Sequence, residues 1–277
     1  MIINADLTLE NLEINPICIT LYKPVSFWKM DSENIYSKIR ELFGHIPENL
    51  NILQEQINID LQVEYYELAG KRKKGSENEH VYGSRNELFS PDCPVENKKE
   101  LLVHLAAVEK IEVYRLIEKY LENPDPELTD WAKLALQENR MLLETRLLDQ
   151  DQIFISTGLG GKGSLLRYFI VLLSRKRTPF SETQTKLIQG EFEYLLKQNM
   201  SELENIHFYD KFVTMNVLIP LHITIKDLFK QGIEECNQYG NFLRTNFMVT
   251  NVKSLTAEEI RHFLDKRKKR KKSVKKT

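Results

Sequence analysis

The stretch richest in groups that could do chemistry is Thr157-Gly158-Leu159-Gly160-Gly161-Lys162-Gly163. Gly158, Gly160 and Gly163 satisfy the letter of G-x-G-x-x-G. With Gly161 and Lys162 they could offer a phosphate a nest of backbone N–H groups and one cation. A dinucleotide site, however, needs a helix that opens inside the motif and holds the pyrophosphate at its N-terminus. Here the next residues, Leu165 to Ser174, are an apolar run rich in branched and aromatic types, which reads as a strand. The Walker pattern fails too, because Lys162 is followed by Gly163 rather than Ser or Thr. The loop therefore reads first as a hairpin turn. Its second reading is contact with a phosphate or a partner's backbone by Gly158, Gly160, Gly161, Lys162 and Gly163, and an enzyme or sensor site there would need a helix starting at Ser164.

Other chemistry is sparse. His45, His80, His104, His207, His222 and His262 form no H-E-x-x-H and have no near cysteine, so no zinc-type ligand set is written. His207, Tyr209 and Asp210 are the one compact polar cluster, and a loop histidine bonded to a carboxylate is commoner than a catalytic dyad. No serine sits in a G-x-S-x-G elbow. Trp28 and Trp131 lie among apolar residues and read as packing anchors. No catalytic residue, metal site or cofactor is nominated.

Charge is the stronger signal. The formal net charge of −1 averages two unlike parts. Lys266, Arg267, Lys268, Lys269, Arg270, Lys271, Lys272, Lys275 and Lys276 give residues 266–277 a charge of +9, leaving −10 on residues 1–265. Such a string repels itself and buries nothing, so it is expected to be disordered beyond its first turn. Its physical use is to neutralise a polyanion, chiefly RNA, through counterion release. Without interleaved aromatics it would contact phosphate rather than base. An anionic membrane surface is the second choice, since no amphipathic anchor accompanies the tail. Lys71-Arg72-Lys73-Lys74 could extend the same footprint.

The rest of the composition sets bounds. A chain of 277 residues with 42% hydrophobic and 29% charged residues can bury a core, which excludes wholly disordered and collagen-like classes. Its longest apolar run, Tyr168 to Leu173, is far short of a membrane span. The N-terminal residues carry acids where a signal peptide needs cations. Cys18, Cys93 and Cys236 are scattered and odd in number, which writes no disulfide framework and suggests a reducing, cytoplasmic setting.

Several elements must position these groups. In residues 1–95, a mixed region, Leu7 and Leu9 and then Ile17, Ile19 and Leu21 alternate as strands do, and Ile35, Ile39 and Phe43 predict a helix. Ile57 to Tyr65 alternates apolar and polar residues and predicts another strand. Residues 96–149 carry apolar spacings of three and four, broken at Pro124-Asp125-Pro126. Residues 150–265 predict an α+β unit, a four-stranded sheet covered by two helices. Its strands are 152–156, 165–174, 211–221 and 243–252. Its helices start near Thr178-Pro179 and at Thr224, and a third, opened by Thr256 and Glu259, leads into the tail.

The proline break, the acid after it, and Trp131, Ala132, Ala135 and Leu136 resemble the second half of a HEAT-type repeat. That resemblance implies paired helices in a binding scaffold. Together the readings predict an α+β protein with a HEAT-like helical middle and a disordered basic tail. It would act as a cytoplasmic, non-enzymatic adaptor, binding a protein partner through its folded parts and RNA, the ribosome included, through its tail. The alternative is an enzyme or sensor taking a phosphorylated small molecule or nucleotide at Gly158–Gly163.

Overall fold

The computed structural model describes residues 17–21, 26–30, 50–72, 81–148, 153–176 and 178–274. The expected strand at Leu7–Leu9 and helix at Ile35–Phe43 lie outside them. The first sheet contains β1 (Ile17–Leu21), β2 (Ser26–Met30), β3 (Leu50–Ile52) and β4 (Ile153–Ser156), in the order β2-β1-β4-β3. Only β3 and β4 run parallel. Thus 153–156, read from sequence as the first strand of the C-terminal sheet, bonds to residues near the N-terminus instead. Its side chains alternate between two cores. Phe154 packs with the helical unit, and Ile155 packs with the C-terminal sheet.

The helical unit comprises α1 (Ile59–Gly70), α2 (Val95–Ala106), α3 (Ile111–Tyr120) and α4 (Thr129–Leu148), with 3-10 turns at Arg85–Phe89 and Pro126–Leu128. Where alternation predicts a strand, α1 forms. The Asn58 side chain caps it by accepting from the Asp60 N–H at 2.8 Å. Its inward face is Gln62, Tyr65, Tyr66 and Ala69, a helical spacing hidden by the polar Gln62. The helical signal before the Pro124-Asp125-Pro126 break is divided between α2 and α3. There Asn139 of α4 donates to the carbonyls of Ala106 and Val108 at 3.0 and 2.9 Å, and Lys110 is extended. All four helices share one core around Leu102, Ile117 and Trp131. A closed bundle of this kind is not a stack of repeats that touch only their neighbours. This corrects the HEAT-like expectation.

The C-terminal sheet is five-stranded: β5 (Gly161–Lys162), β6 (Leu165–Leu173), β7 (Glu202–Phe208), β8 (Phe212–Pro220) and β9 (Met248–Thr250). Between them run α5 (Glu182–Gln198) and α6 (Ile225–Gln238), and α7 (Ala257–Val274) ends the described chain. β6 pairs antiparallel with β8 on one side and with β5 and β9 on the other, while β7 takes the edge beside β8. The succession β6-α5-β7-β8-α6-β9 with this order is the split βαβ, ferredoxin-like arrangement. The expected four strands omitted β7.

Alternation along β6 and β8 sorts the side chains. Ile170, Leu172, Val213 and Met215 face α5 and α6, while Phe169, Val171 and Phe212 face α7. α6 lies close to α5 because residue 232 is glycine: a β-carbon there would come within 2.6 Å of the Phe192 ring. The expected disordered tail is also corrected. α7 continues as helix to Val274, a segment with no Gly or Pro and many Lys and Arg, which are good helix formers.

Candidate nucleic-acid interface

α7 begins at a reciprocal cap. The Glu259 N–H donates to Thr256 Oγ1 at 3.2 Å, and the Thr256 N–H donates to Glu259 Oε2 at 2.8 Å. Lys253 Nζ sits 2.6 Å from Glu259 Oε1. Lys253 first, and then the Thr256 N–H, hold the Glu259 carboxyl down at about 2. One turn on, Ile260 is fully buried against Leu159, Phe169, Val171, Phe212 and Met248. Burying such a side chain is worth about 1.5–3 kcal/mol. Phe263 and Leu264 add partly buried contacts. The helix is thus clamped to the outer sheet face over its first turns. Lys266, Arg267, Lys268, Lys269, Arg270, Lys271 and Lys272 fall in its continuation, and Lys275 and Lys276 lie outside the described residues.

The glycine loop is occupied with its own protein. The Leu159 N–H donates to the Asn251 carbonyl at 2.9 Å, the Gly160 N–H to that of Thr157 at 3.2 Å, and the Gly163 N–H to Gln54 Oε1 at 2.8 Å. Gly160 and Gly163 have φ of +65° and +59°. Gly161 opens β5, and Lys162 Nζ pairs with Glu202 Oε2 at 2.7 Å across the sheet. Residues 165–173 are strand β6, so the helix that a nucleotide site needs does not follow the loop. Gly158 serves packing, since a β-carbon there would lie 1.9 Å from the Val252 carbonyl oxygen.

The second basic cluster is split. Arg72 turns inward to a close ion pair with Glu138 and donates to the Val103 carbonyl at 2.6 Å, so it is no surface contact. Lys73 and Lys74 lie outside the described residues. Trp131 is buried edge-on to Tyr65, with its ring N–H donating to the Lys99 carbonyl at 3.1 Å, as a packing anchor should be. His207 is exposed on β7 and His262 is exposed on α7. Among the described residues, no three His, Cys, Asp or Glu side chains gather as metal ligands. No helix among them is long and apolar enough to cross a membrane.

Sequence reading missed one buried network and one half-buried one. Tyr65 Oη donates to Glu138 Oε2 at 2.7 Å, and burial, then the Glu138 charge, pushes its phenol well up. Beside a groove of about 360 Å³, Asp125 accepts from Lys98 Nζ at 2.7 Å and Tyr120 Oη at 2.5 Å. Those bonds hold the Asp125 carboxyl below its ordinary range, Lys98 contributing most. Burial and Asp125 together keep the Tyr120 hydroxyl protonated. The trio ties α2, α3 and the loop before α4. No sequence motif marks either network, because the partners are 27 to 73 residues apart or joined only by the fold.

No protein-family model matches the chain. No curated protein matches it. Among solved structures it is similar to a protein assigned as a transposase from Deinococcus radiodurans R1, at 16% identity and TM-score 0.33, over 38% of this chain and 93% of that one. It is also similar to a REP-associated tyrosine transposase bound to a REP hairpin, at 12% identity and TM-score 0.28, over 36% of this chain and 62% of that one. These matches are transposases and not helical-repeat scaffolds. The HEAT-like expectation is corrected by the closed helical bundle, and the non-enzymatic adaptor and ribosome-associated RNA-binding expectations find no counterpart among these matches and are set aside.

Proposed function

We propose that this chain binds nucleic acid, with duplex DNA as the substrate class, and that α7 carries the contact. One observation supports the reading: a helix clamped at Ile260 continues through seven consecutive Lys and Arg positions. The nine residues after Asp265 add about 13 Å of helix. A helix about 10–12 Å across fits the major groove of B-form DNA, whereas the deep groove of A-form RNA is closed to it. DNA carries one negative charge per ~1.7 Å of axis, which matches a dense run of cations. The −10 charge on residues 1–265 repels the duplex elsewhere, so contact is confined to this end.

The test is a competition between DNA and RNA duplexes of one sequence for the full-length protein at fixed salt. The proposal expects DNA to win. Equal affinity, or a preference for RNA, would remove the groove argument.

A further inference from the structure

Besides Asn139 Oδ1 in the helical unit, three fully buried side chains carry polar atoms with no partner among the described residues: Gln62 Oε1, Ser156 Oγ, and both Oδ1 and Nδ2 of Asn251. These three are neighbours. Gln62 Nε2 donates at 3.1 Å to the carbonyl of Thr157, the residue after Ser156. The Asn251 carbonyl accepts from the Leu159 N–H at 2.9 Å. Gly158 lies between, pressed against Val252. All three thus border residues 156–159, where α1, the end of β4 and the end of β9 meet. By strand alternation Ser156 shares a face with Phe154, which packs into the core that α1 helps to build.

A buried polar group without a partner is costly, and native proteins satisfy nearly all of them with protein or ordered water. Four such atoms at one seam therefore point to a guest, and their chemistry selects it. Gln62 Oε1 and Asn251 Oδ1 accept, Asn251 Nδ2 donates, and the Ser156 hydroxyl does both. A bare cation would suit the oxygens but not the amide NH₂ group. Water, which donates twice and accepts twice, suits all four. Ser156 Oγ and Gln62 Oε1 make no direct hydrogen bond, and Gln62 meets the chain at Thr157, next to Ser156, so one water between them serves both atoms.

We infer that this seam is a hydration site, with one ordered water bridging Ser156 Oγ to Gln62 Oε1 and water completing the amide of Asn251. Water then joins the helical unit to the sheet just before the chain enters α7.

The test uses the full-length protein in solution. Dipolar NMR cross-peaks between water and the Asn251 side-chain amide protons are expected, and their absence would overturn the site. The bridge is read separately by Ser156→Ala. A bridging water that loses one anchor predicts a melting midpoint lower by roughly 2–4 °C. A dry seam predicts an unchanged or raised midpoint, because the substitution then deletes only an unsatisfied hydroxyl. If the alanine variant does not fold, Ser156→Thr keeps the hydroxyl and should restore the wild-type midpoint. Failure of that rescue would show that packing, not the bridge, was at stake.

Discussion

Arg167 of β6 and Glu204 of β7 meet across the intervening β8 through two hydrogen bonds, Nε to Oε2 at 2.6 Å and Nη2 to Oε1 at 2.8 Å. The same guanidinium donates through Nη1 to the Leu159 carbonyl at 2.7 Å, so one side chain fastens the glycine loop to the sheet edge. Glu204 can reach it because β7 bulges between Leu203 and Asn205. Arg167→Ala should cost about 1–3 kcal/mol, as expected for charge-assisted bonds that leave a partly shielded carboxylate behind. Urea titration reads this directly. A loss below about 0.5 kcal/mol would place the pair among ordinary surface ion pairs.

Two glycines should respond in opposite directions to alanine. Gly158→Ala puts a β-carbon into the Val252 carbonyl, and backbone must move, so a loss of about 1–3 kcal/mol is expected. Gly190 lies exposed within α5 with nothing near its would-be β-carbon. Gly190→Ala should therefore stabilise by about 0.5–1 kcal/mol. Thermal melts of the two variants side by side would sink this account if both moved the same way.

Glu138→Ala should be among the most damaging single changes. It strips the buried carboxylate from Arg72 and from the Tyr65 hydroxyl, leaving charge and donor inside the helical core. Breaking a buried pair on one side typically costs 3–5 kcal/mol, so a loss of about 3 kcal/mol or more is expected in denaturant.

Acid should loosen the root of α7. The Glu259 carboxyl titrates at about 2 in the folded chain, below its ordinary 4.5. A group with a depressed folded pKa stabilises fully above the unfolded value and loses that contribution as pH falls through the folded one. The protection factor of the Ile260 amide, its exchange rate corrected for the intrinsic pH dependence, should therefore fall between pH 4.5 and 2, and Glu259→Gln should flatten the change. Identical pH profiles for the two proteins would show that the cap does not hold the helix.

Much of the C-terminal sheet is legible from residues alone. β6 announces itself by its apolar run, β8 by its apolar period, and α7 by the Thr256–Glu259 pair, which forms both expected bonds. Thr224 correctly marks the start of α6, although its side chain makes no capping bond. What escapes the sequence has tertiary causes. The bulge at Leu203–Asn205 shifts Ile206 and Phe208 out of phase with Leu203 and hides β7. Gln62 is polar yet buried, which disguises α1 as an alternating strand. The break between α2 and α3 is held by Asn139, more than thirty residues away. At the candidate interface the cations are plain in the sequence. Their helical state is not, because it depends on a nucleus clamped by Ile260 and the sheet.

The salt dependence of DNA binding tests the central claim most directly. If α7 places about five cations on phosphates of a duplex, a plot of log affinity against log salt should have a slope near roughly −4.5 for the full-length protein. Deleting residues 266–277 removes all nine cations of that segment and no residue placed in a core, so the fold should survive while the slope collapses toward zero. A truncated protein that binds duplex DNA as tightly as the full chain, with the same slope, would contradict the assignment of α7 as the nucleic-acid contact.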